Sequence, residues 1–220
     1  MSVLALRPAP SSPGRSPALL APATSPDVGL VSDGELLAAI AGDAGETLLQ
    51  RFGCLAAALG ADRYELGRIG GPDLAWTFAV VQECASRMGR ASLTRRCLLS
   101  SYPPVLAYLT TTMAWRGREQ FRVLFLDKKN QLIVDEVMNE GSVDHAPVYP
   151  REVVRRALET DSAAVILAHN HPSGDPTPSS ADIELTRQVI DACRWLRIEV
   201  HDHLIIGRDG AASLKSLGLI

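Results

Sequence analysis

No stretch of the sequence holds about 18 consecutive apolar residues, so no segment is expected to span a membrane. Cysteine is scarce and scattered, and Cys54, Cys84, Cys97 and Cys193 form no Cys-x-x-Cys pair. That spacing does not read as a zinc ribbon or a disulfide framework, and it makes a reducing cytoplasm the expected setting. Excess charge is missing too. A net charge of −3 gives no global field to draw the chain onto nucleic acid or anionic lipid. The N-terminal region lacks a charged start followed by an apolar block, so no secretory signal is expected. It has Arg7 and Arg15 and no acid before Asp27, as an organelle transit peptide does. Six prolines between Pro8 and Pro26 oppose the amphipathic helix that such a peptide needs.

What is present suits a globular protein with a real core, with 46% apolar and 21% charged residues. Residues 1–31 are rich in Pro, Ala and Ser and are expected to form a disordered tail. Residues 32–98 read as a small all-helical module. Ser32 and Asp33 are helix starters, and Glu35 stands at capping-box spacing from Ser32. Leu36, Leu37 and Ile40 give a first apolar face, and a second helical stretch holds Leu48, Leu49, Phe52, Leu55 and Leu59. Gly70-Gly71-Pro72 breaks the pattern, and Pro72 suits the first turn of a third helix through Trp76, Val80, Cys84 and Met88. The run from Arg87 to Arg96, with four arginines and no acid, is expected to link this module to the next.

Residues 99–220 carry an α/β pattern. A helix is expected from about Pro103 to Arg116. Phe121–Leu126 and Gln131–Met138 flank the polar turn Asp127-Lys128-Lys129-Asn130 and read as a β-hairpin. Pro150 opens a helix with Val153, Val154, Ala157 and Leu158. Ala163–Ala168 is a continuous apolar run, the mark of a strand buried on both faces. Ser179 or Ser180 caps a helix reaching about Leu196, and Ile198–Ile206 is a last long strand, followed by a turn at Asp209-Gly210.

The chemistry sits where the buried strand ends. In His169-Asn170-His171, residues two apart on an extended chain point the same way, so both imidazoles can face one point. The following loop is stiffened by Pro172, Pro176 and Pro178, with one joint at Gly174. Asp182 lies in the first turn of the next helix, close to the Ser179 cap. Two imidazoles and one carboxylate with an open fourth position form the catalytic zinc pattern. Iron(II) accepts the same three ligands, whereas Mg²⁺ and Ca²⁺ favour all-oxygen sites. His169, His171 and Asp182 are therefore the expected ligands of one ion per chain, Zn²⁺ by the catalytic pattern, with iron(II) left open by ligand type alone. His201 and His203 also share a strand face, but a third ligand at suitable spacing is missing, and a structural role is expected for them.

The spacing His-x-His-x7-Ser-x2-Asp over His169–Asp182 resembles the JAMM zinc-hydrolase motif of the MPN domain. The full run His169-Asn-His-Pro-Ser-Gly-Asp-Pro-Thr-Pro-Ser-Ser-Ala-Asp182 resembles the RadC family specifically, as do Phe125-Leu126-Asp127, Pro150-Arg151-Glu152 and Asp202-His203. The resemblance covers about residues 34–220 and is strongest from Glu119 onward. It implies the cytidine-deaminase-like MPN fold, a mixed β-sheet flanked by helices. It also implies a zinc-dependent hydrolase that cleaves an amide or isopeptide bond in a peptide or protein substrate. JAMM enzymes use a glutamate at the start of an upstream strand as general base. Glu119, directly before Phe121-Arg-Val-Leu-Phe-Leu, matches that place, with Glu136 in the next strand as the alternative. Ser179 has two readings, a helix cap and, by the resemblance, a hydroxyl that steadies the tetrahedral oxyanion.

RadC proteins also carry an N-terminal segment resembling a helix-hairpin-helix unit, which binds the DNA backbone through a Gly-x-Gly turn. Aligned on Gly71-Pro72, the first turn glycine is here Ile69, and Asp73 places a negative charge where a phosphate would come. A DNA-associated protein with a binding or structural zinc domain is thus the alternative to the hydrolase, and a purely structural helical cap stands beside it. A metal-dependent nuclease fits a single His/His/Asp site less well.

Overall fold

The computed structural model describes residues 28–93, 102–141 and 148–220. Met1–Ser32 and Asp33–Ile220 are separate units. In the first, the described part holds a 3-10 turn, Val28–Leu30, and the rest of the expected tail lies outside the described residues.

The second unit begins with short helices. These are α1 (Asp33–Ala41), α2 (Ala44–Phe52) and α3 (Leu55–Gly60), followed by the long α4 (Arg63–Leu93). The expected single stretch around Leu48–Leu59 is two helices. Gly53 takes the left-handed conformation that ends α2 (φ +82°), and Cys54 turns extended so that its Sγ accepts from Ala57 N. The Asp33 carboxylate accepts from Leu55 N, so this helix-start acid satisfies an open donor of α3. In α4 the helical backbone is interrupted at Gly70 and Gly71 (φ +80°), and Pro72 restarts it, as the breaker reading predicts.

The helix α4 runs through Trp76, Val80, Cys84 and Met88 as expected, but that stripe is not its packed face. The stripe Trp76, Val80, Cys84 and Met88 is exposed, with Trp76 at 70% and Met88 at 76%. The packed face is instead Leu74, Ala75 and Phe78, which close on Leu37, Leu48, Ala58 and Leu66, with Ile69 beside them. Apolar letters at i, i+4 spacing mark one helix face, but the neighbouring helices decide which face is covered. Nor is Arg87–Leu93 a linker. The helix runs through it, and Leu93 is buried in the core that α5 (Tyr102–Met113) shares with the sheet. Residues 94–96 lie outside the described residues.

The remaining chain is a mixed five-stranded sheet flanked by helices, an α/β fold. Its elements are β1 (Gln120–Leu126), β2 (Leu132–Glu140), α6 (Pro150–Glu159), β3 (Ala164–Asn170), α7 (Ser180–Arg194), β4 (Glu199–Gly207) and β5 (Gly210–Ser213). The strand order is β2-β1-β3-β4-β5. The β1–β2 hairpin forms as the two strand-like runs around a polar turn predict, and Asp127 Oδ1 accepts from the amides of Lys129 and Gln131 to hold the turn. β3 is buried along its whole length, as a continuous apolar run requires. It pairs antiparallel with β1 and parallel with β4, and α7 makes the crossover between β3 and β4. One sheet face packs Leu124, Ile166 and Ala168 against α5. The other packs Phe121, Val123, Val165 and Leu167 against α6 and α7. The histidine end of β3 opens on this second face.

A buried ion pair marks the α5 face. Arg122 Nη1 donates to Asp135 Oδ2 at 2.5 Å, the Tyr108 hydroxyl also donates to that carboxylate, and neither charged side chain exceeds 7% exposure. Removing one partner of such a pair leaves the other charge uncompensated. Asp135→Ala is therefore expected to destabilise the fold by about 3–5 kcal/mol, readable as a lower urea midpoint with an unchanged slope.

Candidate metal centre

The apolar letters of β3 stop at Ala168, and the strand runs on through His169 and Asn170. His171 continues the ladder by donating its amide to Ile206 O. His169 and His171 therefore share a face, and their Nε2 atoms lie 3.0 Å apart. Asp182 comes from the third position of α7. Its Oδ1 is 3.2 Å from His169 Nε2 and its Oδ2 is 3.6 Å from His171 Nε2. Ligand atoms of the three residues lie within 4.8 Å of one another, the one such cluster among the described residues. Exposure rises across the site, from 2% at the His169 side chain to 20% at His171, so one side is walled and the other opens to solvent.

The hydrogen-bond chain behind His169 decides what its Nε2 offers. His203 is fully buried, and burial, reinforced by the nearby His169, holds it well below the ordinary histidine pKa, so it is neutral. A neutral imidazole has one donor and one acceptor nitrogen. Thr186 Oγ1 donates to the Asp182 carbonyl at 2.5 Å, so at 2.6 Å it accepts from His203 Nδ1. His203 Nε2 is then an acceptor for His169 Nδ1 at 2.8 Å, which leaves His169 Nε2 with a bare lone pair. Likewise His171 Nδ1 donates to Asp175 O at 2.8 Å, so in the neutral ring that binds a metal its Nε2 is bare. Two lone pairs and a carboxylate thus face one another, an arrangement that repels unless a cation lies between them. The separations match the edge of about 3.3 Å that follows for a tetrahedral ion with ligands at about 2.0–2.1 Å. The cluster is compatible with a bound metal ion on both counts.

The surroundings hold these groups still. Phe121 stacks on His169 (6.2 Å between centroids, 9° between planes) and meets His203 edge-on. Ser179 caps α7 in a reciprocal box. Asp182 N donates to Ser179 Oγ, while Ser179 N and Oγ donate to Asp182 Oδ2 at 2.7 and 2.6 Å. Burial disfavours the Asp182 carboxylate, but hydrogen bonds from His169 and His171, once a proton rather than a metal ion lies between them, and from Ser179 outweigh it and hold the carboxyl far below its usual range. The loop between strand and helix is seated on β4, because a Cβ at Gly207 would come within 2.0 Å of Gly174 O. Glycine at 207 thereby fixes the segment carrying Asp175, the acceptor for His171.

Glu119 precedes β1, and the β1–β3 register pairs Phe121 with His169. The Glu119 charge contributes to raising the His171 pKa, after the larger contributions of Asp182 and the Asp175 carbonyl. Glu136, the alternative, is occupied. Arg156 bonds both of its carboxylate oxygens, and that contact draws its pKa down. Asn170 points to the opposite face and is fully buried. Its Oδ1 accepts from Gln120 N at 2.9 Å, and its Nδ2 donates to Arg118 O at 3.1 Å and to Arg116 O at 3.4 Å. Asn170 thereby clamps the backbone on both sides of Glu119. His201 turns elsewhere, to Asn130 and Glu199, and stays structural.

The family model described as the RadC-like JAB domain matches residues 99–219. The chain belongs to the RadC family. In this RadC chain, sequence reasoning passed over Asn170 and Thr186. Asn170 is only the unassigned middle position of His-x-His, though a polar residue inside an otherwise buried strand is itself a signal of backbone contacts. Thr186 is the residue one turn after Asp182, and only the fold brings it to His203. Partners that orient a ligating histidine typically matter about 10–100-fold in metal affinity. Thr186→Val is expected to weaken zinc binding within that range while leaving circular dichroism unchanged, measured by competition with a chromogenic chelator.

Proposed function

We propose that the site holds one zinc ion through His169 Nε2, His171 Nε2 and the Asp182 carboxylate, and that the protein hydrolyses an amide or isopeptide bond in a peptide or protein substrate. The observation that carries this reading is the meeting of two bare imidazole nitrogens and a carboxylate beside Glu119. Zinc held there supplies Lewis acidity and brings the pKa of a water towards ~7. The Glu119 carboxylate takes a proton from the attacking water and returns it to the departing amide nitrogen. Ser179 Oγ, now spent on Asp182, turns to the developing oxyanion. His203 and Thr186 keep His169 in the tautomer that offers Nε2. No second cluster of ligands accompanies the first among the described residues, which favours peptide hydrolysis over a two-ion nuclease. We read the helical module as a structural cap, since Ile69 is spent on its core. The free thiols of Cys54, Cys84 and Cys193 fit a cytoplasmic setting, and no described helix is long and apolar enough to cross a membrane.

The test is a panel of peptide, isopeptide-linked and DNA substrates offered to the zinc-loaded chain and to Glu119→Gln. Cleavage of a peptide or isopeptide bond by the wild type alone is expected. Cleavage of DNA, or equal turnover by both proteins, would overturn the reading.

A further inference from the structure

Arg122 alternates with Phe121 and Val123 along β1, so it lies on the sheet face away from the histidines. There a cavity of about 590 Å³ opens between α3, α4, α5 and the β1–β2 hairpin. Its volume falls in the range of about 300–1,000 Å³ usual for small-molecule sites. The Arg122–Asp135 pair lines it, and so do Arg90 and Arg116. Three acids lie near these three guanidiniums. Glu83 is half exposed and bonded to Arg87. Asp135 is buried, and its Oδ2 serves Arg122 at 2.5 Å and Arg90 at 3.9 Å. Arg116 Nε donates to Thr112 O at 2.9 Å, and its Nη1 stands 4.0 Å from Glu140. Burial, with Arg122 adding repulsion against the help of Glu140, pushes the Arg116 guanidinium below its ordinary pKa. Arg122 Nε is buried without a partner, while its Nη1 and Nη2 are both engaged. With Glu83 paired to Arg87, Asp135 and Glu140 stand against Arg90, Arg116 and Arg122, so one positive charge is in excess beside low-dielectric walls, where a field is focused rather than screened. The rest of the wall includes Leu59, Val137 and Trp115.

We propose that this cavity binds a small organic anion, with its phosphate or carboxylate group held among Arg90, Arg116 and Arg122 and its apolar body against Leu59 and Trp115. Planar guanidinium forks suit either oxyanion. The two chemistries are separated by the probes.

The experiment is calorimetric titration of the full chain with phenyl phosphate and with benzoate, against chloride at matched ionic strength. Saturable one-to-one binding of at least one probe is expected, and the stronger of the two identifies the head group. Arg90→Gln and Arg116→Gln should each weaken it by at least about tenfold. Ser86→Phe, which fills the cavity without removing charge, should block it and serves even if an arginine variant fails to fold. His171→Ala should leave the affinity unchanged, which separates this site from an anion resting on the metal. Heats no larger than those of chloride, affinity untouched by Ser86→Phe, or binding lost in His171→Ala would each overturn the proposal.

Discussion

Glu119→Gln is expected to keep its full zinc content and to lose about 10²–10⁴-fold in turnover, the usual contribution of a positioned general base. The amide is the same size as the carboxylate but takes up no proton at neutral pH. The backbone around it is unaffected, because Asn170 holds the amide of Gln120 and the carbonyls of Arg116 and Arg118, not the Glu119 side chain. Metal content and turnover should therefore separate. Glu136→Gln is the matched control. It weakens the ion pair to Arg156 and should leave turnover within about twofold, in keeping with the modest worth of a partly exposed pair. The reverse result, with Glu136→Gln silent in binding but inactive in turnover, would move the base to β2.

Asp182→Asn should cost more than about 100-fold in zinc affinity, beyond the 10–100-fold expected of a residue that only orients a ligand. An amide oxygen is a poor ligand for zinc beside two imidazoles, yet it still accepts from Ser179 N. The cap of α7 is thereby largely kept, and the loss of affinity should come with a small change in melting temperature. That contrast matters because Asp182 does two jobs. Its backbone and Oδ2 close the capping box, while Oδ1 faces His169. If zinc affinity survives in Asp182→Asn while the helix end melts, Asp182 is a cap and nothing more.

Much of this is legible in the sequence. The continuous run Ala163–Ala168 could only be a strand buried on both faces, and β3 is one. The polar turn at Asp127–Asn130 and Pro150 at a helix start carry their own local physics. The pairing of His169 with His171 follows from the two-residue period of an extended chain. What was hidden depends on packing between distant segments. Letters alone marked Trp76 and Met88 as a helix face, but the core lies on the Leu74 and Phe78 side. Nothing local to Arg87–Leu93 shows that Leu93 will be buried beside α5. Asn170 and Thr186 act through partners about 50 and 17 positions away, distances that periodicity does not reach.

The most direct test is anomalous diffraction at the zinc edge from crystals of the reconstituted protein. One peak is expected, within about 2.0–2.2 Å of His169 Nε2, His171 Nε2 and an Asp182 oxygen. No peak between these atoms, or zinc held by other residues, would contradict the account.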